Sequence, residues 1–141
     1  MIRTPYLSVD GIVELYGHDG RFEGLVLIER KNPPHGWALP GGFVDIGERV
    51  EAALKREMLE EITLEVEIGG FLGLYSDPHR DRRFHTVTSV FVCRAYGRPK
   101  AADDAKKVHV VMKAEVLSKP LVFDHRRILR DYLEGKTCVI D

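Results

Sequence analysis

Gly41-Gly42-Phe43-Val44-Asp45-Ile46-Gly47-Glu48 leads into a stretch that carries Arg56-Glu57-Met58-Leu59-Glu60-Glu61 near its end. From Glu48 to Ile62 the apolar residues Val50, Ala53, Leu54, Met58 and Ile62 recur at helical spacing, which predicts an amphipathic helix. Glu57, Glu60 and Glu61 then fall at i, i+3 and i+4, so their carboxylates share one side of that helix. Carboxylates held so close repel one another unless something positive sits among them. Mg²⁺ or Mn²⁺ meets that need, because hard cations take oxygen ligands and keep several waters for a substrate phosphate. Arg56 is spaced to fix one carboxylate by a charge-assisted hydrogen bond. The glycines ahead of the helix let backbone groups approach a metal or a phosphate closely. By themselves, three glutamates on a helix fit a solvated acidic face equally well.

Outward from this helix the chain reads mostly as strands. Residues 6–16 (Tyr6, Val9, Ile12, Val13, Leu15) and 22–29 flank the turn Gly17-His18-Asp19-Gly20 and predict a hairpin. Trp37-Ala38-Leu39 reads as a short strand closed by Pro40-Gly41-Gly42. Residues 64–76, 84–96 and 107–112 carry the β-branched and aromatic residues that suit strands. Asp124 is placed to cap a terminal helix, with Ile128, Leu129, Tyr132 and Leu133 on its apolar face and Gly135 as its stop. Strands interrupted by two well-separated helices predict an α/β fold, a mixed sheet with a helix on each side.

Composition narrows the function. The 141 residues, 44% hydrophobic and 30% charged, suit one globular domain spanning 1–141. A net charge of −1, from 21 basic and 22 acidic residues, provides no field for nucleic acid. No apolar run approaches the ~20 residues of a membrane span. The N-terminus does not read as a signal peptide, and two cysteines make neither a disulfide framework nor a metal knuckle, which points to the cytoplasm. Cys93, inside Val90-Phe91-Val92-Cys93, reads as a buried small hydrophobe.

The spacing of Gly42, Glu48, Arg56, Glu57, Glu60 and Glu61 resembles the Nudix box: glycine, five residues, glutamate, seven residues, then Arg-Glu-apolar-x-Glu-Glu-x-glycine-apolar. Six such positions coincide by chance about once in 10⁷ starting points, which removes the acidic-surface reading. Thr63 departs from the box, standing where the glycine of the helix exit belongs. A residue with a Cβ there predicts about a kcal/mol of strain, or another exit geometry, without touching a ligand. Beyond the box, residues 31–44, 74–81, 85–87, 103–106 and 121–125 resemble ADP-ribose pyrophosphatase-type Nudix enzymes.

That resemblance implies a Nudix-type α/β/α sandwich with a central mixed β-sheet, and Mg²⁺ (or Mn²⁺) between the box glutamates and a diphosphate. It implies Glu57 and Glu61 as principal metal ligands, with Glu60 as a further ligand or water-binding group. The carbonyl of Gly41 or Gly42 joins the coordination shell, Glu48 supports the metal cluster, and Arg56 orients a glutamate. Metal-activated water then attacks one phosphorus in line. The general base is a box glutamate or a loop carboxylate, Asp103 or Asp104, although Lys107 stands where relatives often have a glutamate.

Several side chains carry two readings. Arg80, Arg82 and Arg83 grip a phosphate or ribose, or form a solvated loop. His79 and His85 contact substrate, or hydrogen-bond at a loop or strand end. Trp37 stacks on a base or joins the core. His109, in an apolar run, reads as a satisfied structural histidine. The expected substrate is a nucleoside diphosphate linked to another group, ADP-ribose first, giving AMP and ribose 5-phosphate. A MutT-like nucleoside triphosphate pyrophosphohydrolase is the second hypothesis. A non-catalytic Nudix-like ligand-binding module is the third, and the intact glutamates argue against it. Homodimers are common among similar enzymes, so a homodimer is allowed.

Overall fold

Strand β1 (Tyr6–Tyr16) is the spine of the molecule, since β2, β4 and β6 all pair with it. The computed structural model describes residues 1–102 and 105–141. Around β1 lie β2 (Phe22–Arg30), β3 (Trp37–Ala38), β4 (Gly41–Phe43), β5 (Glu67–Tyr75), β6 (Thr86–Tyr96), β7 (Ala105–Val111) and β8 (Val139–Ile140). They form one mixed sheet in the order β3-β2-β1-β6-β5-β8, with β4 joined to β1 and β7 to β2. β1 and β6 run parallel in unbroken register from Tyr6↔Thr86 to Tyr16↔Tyr96. β5 and β8 are also parallel, and the other pairs are antiparallel.

Two-residue periodicity divides the apolar side chains between two faces. Val9, Val13, Leu15, Val26 and Ile28 meet Ala53, Leu54, Met58 and Ile62 of helix α1 (Val50–Ile62). Ile12, Leu25, Leu27 and Val90 meet Ile128 and Leu129 of helix α2 (His125–Leu133). The expected α/β/α sandwich with its central mixed sheet is therefore the observed fold. Burying each such Leu, Ile or Met side chain contributes about 1.5–3 kcal/mol before conformational entropy is subtracted. No helix among the described residues is long and apolar enough to cross a membrane.

Several boundaries differ from the sequence expectation. Helix α1 starts at Val50, two residues after Glu48, because Gly47 adopts φ 88° and the Glu48 N–H closes a turn onto the Asp45 carbonyl. Gly41 and Gly42 do not end a strand; they belong to β4, which pairs antiparallel with β1 through Val9↔Gly42 and Asp10↔Gly41. Asp124 stands at the start of α2, but its carboxylate makes no capping bond. Gly135 follows α2 with φ 75°, the left-handed stop expected of it. Strand β8 was not foreseen, since two residues carry too little pattern to mark a strand.

Thr63 closes α1 in the left-handed conformation (φ 57°, ψ 33°), its N–H reaching the Leu59 carbonyl. The box glycine's geometry is thus kept without the glycine. Thr63 Oγ1 accepts the Lys100 N–H at 3.1 Å and lies 2.7 Å from the Ile62 carbonyl, so the hydroxyl ties the helix exit to the segment after β6. Thr63→Val should cost about 1 kcal/mol by losing these bonds while keeping the strain. Thr63→Gly should fall within about 0.5 kcal/mol of the parent, because relief of strain offsets the lost bonds and the freer unfolded chain. Urea unfolding of the two variants separates these outcomes, and undiminished stability of Thr63→Val would show that the hydroxyl bridge contributes nothing.

Candidate active site

The helical spacing places Glu57 and Glu61 on the side of α1 that meets β4, where the glycines leave room for them. A Cβ added at Gly42 would lie 2.3 Å from the Glu57 carboxyl carbon. One at Gly41 would lie 2.2 Å from both the Val9 carbonyl and Asp10 Oδ1. The Gly41 N–H donates to Glu61 Oε1 at 2.9 Å, joining strand to helix.

Arg56 lies at the centre of the acidic group. Its Nε and Nη2 donate to Glu48 at 2.7 and 2.9 Å, and Nη1 donates to Glu57 at 2.9 Å and Glu60 at 3.1 Å. Nη2 also reaches the Phe43 carbonyl at 3.0 Å, so one guanidinium ties helix, turn and β4 together. These bonds, with the Asp45 N–H, hold the Glu48 carboxyl down at about 2. Glu57 behaves oppositely: burial raises its carboxyl above the ordinary range, with Arg56 opposing.

Glu57 and Glu61 open on a cleft of about 430 Å³. Gly41, Gly42 and Phe43 line it, as do Arg30, Arg83 and Phe123. Arg83 is fixed by Asp81, to which its Nε and Nη2 donate at 3.1 and 2.8 Å, and it lies over the Phe84 and Phe123 rings. Arg30 makes the other cation–π contact with Phe123, 5.0 Å from the ring centroid.

The cleft also reaches a buried polar group that sequence reasoning missed. Asp10 accepts a 2.6 Å bond from Thr88 Oγ1, and His125 Nδ1 accepts the Leu39 N–H at 3.0 Å. Burial raises the Asp10 carboxyl and pushes the His125 ring down to about 3, so the histidine is neutral at physiological pH. Asp10 did carry a signal: a charged residue within the apolar run Val9-Asp10-Gly11-Ile12-Val13. His125 had none, because the Asp124-His125 pair read simply as a helix start.

The structure separates the other sequence candidates. Arg80 is buried and lines the cleft, but its Nε and Nη2 grip Asp124 at 2.9 and 2.7 Å and its Nη1 donates to Thr86. This pair is why Asp124 does not cap its helix. Trp37 stacks on His109 at 4.0 Å, and His85 Nε2 lies 3.0 Å from the Ser76 carbonyl; neither lines this cleft. Among the described residues the buried His109 Nε2 has no hydrogen-bond partner, and its nearest acidic neighbour is Glu29 at 3.6 Å, where a satisfied histidine was expected. Glu60 meets Arg56 on the exposed side of α1. Asp103 and Asp104 lie outside the described residues.

The donors around Glu57 and Glu61 fit a hard divalent cation. All are oxygens, and the Glu57 carboxylate is half-buried with its charge only partly offset. Among the described residues no three carboxylates, histidines or cysteines already close around one point, and the Arg56 guanidinium lies between Glu48, Glu57 and Glu60.

Arg56→Lys should lose about 1–3 kcal/mol in urea unfolding, because a point charge cannot reproduce the fork. Glu57→Gln should leave the melting temperature of the metal-free protein unchanged or higher, because it removes a charge whose burial is unfavourable. Its turnover should nonetheless collapse. If Glu57→Gln destabilises as much as Arg56→Lys, the ion pair outweighs burial at this position.

Comparison with known proteins agrees with this fold. The chain is 42% identical over 135 residues to an ADP-ribose pyrophosphatase of Methanocaldococcus jannaschii, covering 94% of this chain and 75% of that protein. The NUDIX domain of Shewanella oneidensis NrtR, solved in complex with ADP ribose, superposes with a TM-score of 0.80 at 27% identity, covering 95% of this chain and 90% of that one. A MutT/nudix family protein from Enterococcus faecalis gives a TM-score of 0.77 at 27% identity; the match covers 96% of this chain but only 63% of that one. Residues 5–132 match the NUDIX domain, and the chain belongs to that family, the Nudix hydrolases.

Proposed function

We propose that this chain hydrolyses a nucleoside diphosphate linked to a sugar, ADP-ribose first, to AMP and ribose 5-phosphate. The observation that carries this reading is one cleft lined both by Glu57, Glu61 and the glycine strand and by Arg30, Arg83 and Phe123. Carboxylates that bind a cation and cations that bind phosphate are what a diphosphate needs on its two sides. The likeness to the M. jannaschii ADP-ribose pyrophosphatase supports the choice of substrate.

Nudix hydrolases generally need divalent metal ions, and we assign Mg²⁺ or Mn²⁺ here. Glu57, Glu61 and the Gly41 carbonyl would hold the metal, with Glu48 and Glu60 in support. When bound, such an ion offsets diphosphate charge and makes water more acidic. Arg56 keeps Glu57 and Glu60 oriented while the substrate enters. Arg83, held by Asp81, faces the negative charge of the phosphates, and Arg80 supports that wall through Asp124. Water adds across the P–O–P bridge: its oxygen joins one phosphorus, and the bridging oxygen leaves with the other phosphate. Glu61 takes the water's proton in this scheme, with Asp104 as the other carboxylate for that step. The free thiols Cys93 and Cys138 and a nucleotide substrate fit the cytoplasm.

The test is kcat/KM for ADP-ribose, other nucleoside diphosphate sugars and nucleoside triphosphates, with Mg²⁺ or Mn²⁺. ADP-ribose should lead, and Glu61→Gln should lower its turnover by about 10²-fold or more while the protein stays folded. Preference for triphosphates would move the chain to the MutT-like reading. Undiminished turnover by Glu61→Gln would remove Glu61 from the chemistry.

A further inference from the structure

Asp10 and His125 stand together on the cleft floor, 7% and 3% exposed. Each is fixed from behind. Thr88 Oγ1 donates to Asp10 Oδ2 at 2.6 Å, and the Leu39 N–H donates to His125 Nδ1 at 3.0 Å. A ring nitrogen that accepts a hydrogen bond carries no proton, so the proton of the neutral ring is on Nε2. Among the described residues that Nε2–H has no hydrogen-bond partner, and Nε2 stops 3.9 Å from Asp10 Oδ2. This gap is too wide for a direct bond. A buried donor and a buried acceptor therefore line the cleft, close enough for one small group set against both to bond each of them.

A hydroxyl accepts from one group and donates to the other, which neither a phosphate nor a carbonyl oxygen does. The position limits whose hydroxyl it is. Asp10 is the register partner of Gly41, whose N–H holds Glu61, so the pair lies directly beside the proposed diphosphate site. In a nucleoside diphosphate sugar the groups flanking the diphosphate are sugars.

We propose that Asp10 Oδ2 and His125 Nε2–H form a hydroxyl-recognition subsite, which takes one ribose hydroxyl of the substrate and selects for a ribosyl group beside the scissile diphosphate. The proposal rests on the functional reading above. A buried pair of this kind discriminates strongly, because a substrate without the hydroxyl leaves both groups desolvated and unpaired.

The experiment compares ADP-ribose with two analogues, each lacking one hydroxyl, on the adenosine ribose or on the terminal ribose. D10N and H125N are assayed beside the parent. H125N puts an amide oxygen near the place of Nδ1, so Leu39 keeps an acceptor while the Nε2 donor is lost. The parent should disfavour one analogue by about 10- to 100-fold in kcat/KM, and which analogue it is identifies the ribose. Both variants should treat that analogue and ADP-ribose alike, within about threefold, while folding normally by circular dichroism. Equal treatment of all three compounds by the parent would overturn the subsite. So would variants that lose the same factor on every compound. Equilibrium binding of the same compounds to the full chain, by calorimetry, gives the ranking without turnover. A chain that binds ADP-ribose selectively but does not cleave it overturns the functional reading alone, and flat binding overturns the subsite.

Discussion

The close approach of β4 to α1 governs the rest of the site. Two successive residues must come so near helix and neighbouring strand that neither can carry a side chain. At Gly42 a Cβ would collide with the Glu57 carboxylate, and at Gly41 with β1. This contact brings Glu57 and Glu61 to the cleft wall and lets the Gly41 N–H hold Glu61. It also puts the Phe43 carbonyl within reach of Arg56. With side chains at these two positions the strand would have to move off, and Glu61 would lose its backbone partner.

Charge inside this region is balanced locally. Arg56 satisfies Glu48, Glu57 and Glu60 in part, yet burial still dominates at Glu57. A carboxylate left in that condition is prepared for a cation, at some expense to the stability of the metal-free protein. Another part of the cleft lining relies on a different device. Arg80 is spent on Asp124 and Thr86, which pins the loop before β6 to the start of α2. Arg83 is left on that loop, steadied by Asp81 and by two aromatic rings.

Helix α2 thus does more than cover the second face of the sheet. Its first residue brings His125 to the cleft floor, where the ring bonds the backbone of Leu39. Its Asp124 is diverted from capping by a buried arginine, a tertiary partner that outcompetes the local one. The start of this helix is therefore specified by contacts made across the fold.

What the sequence determined by itself is what local spacing controls. Glu57, Glu60 and Glu61 share a helix side because 3.6 residues make a turn, and Arg56 reaches neighbours from the same helix and the turn before it. The left-handed exit at Thr63 was legible as a constraint, although the hydroxyl bridge that accommodates it was not. The sandwich followed from the switch between periods of two and 3.6. Tertiary structure decided the rest. Asp10 and Thr88 are 78 residues apart, Leu39 and His125 86, and Arg80 and Asp124 44. No periodicity reports such pairs, because they depend on which strands are neighbours and in what register. For the same reason Trp37 and His85, plausible by residue type, lie away from the cleft, while Asp10, in a strand that read as core, lies on its floor.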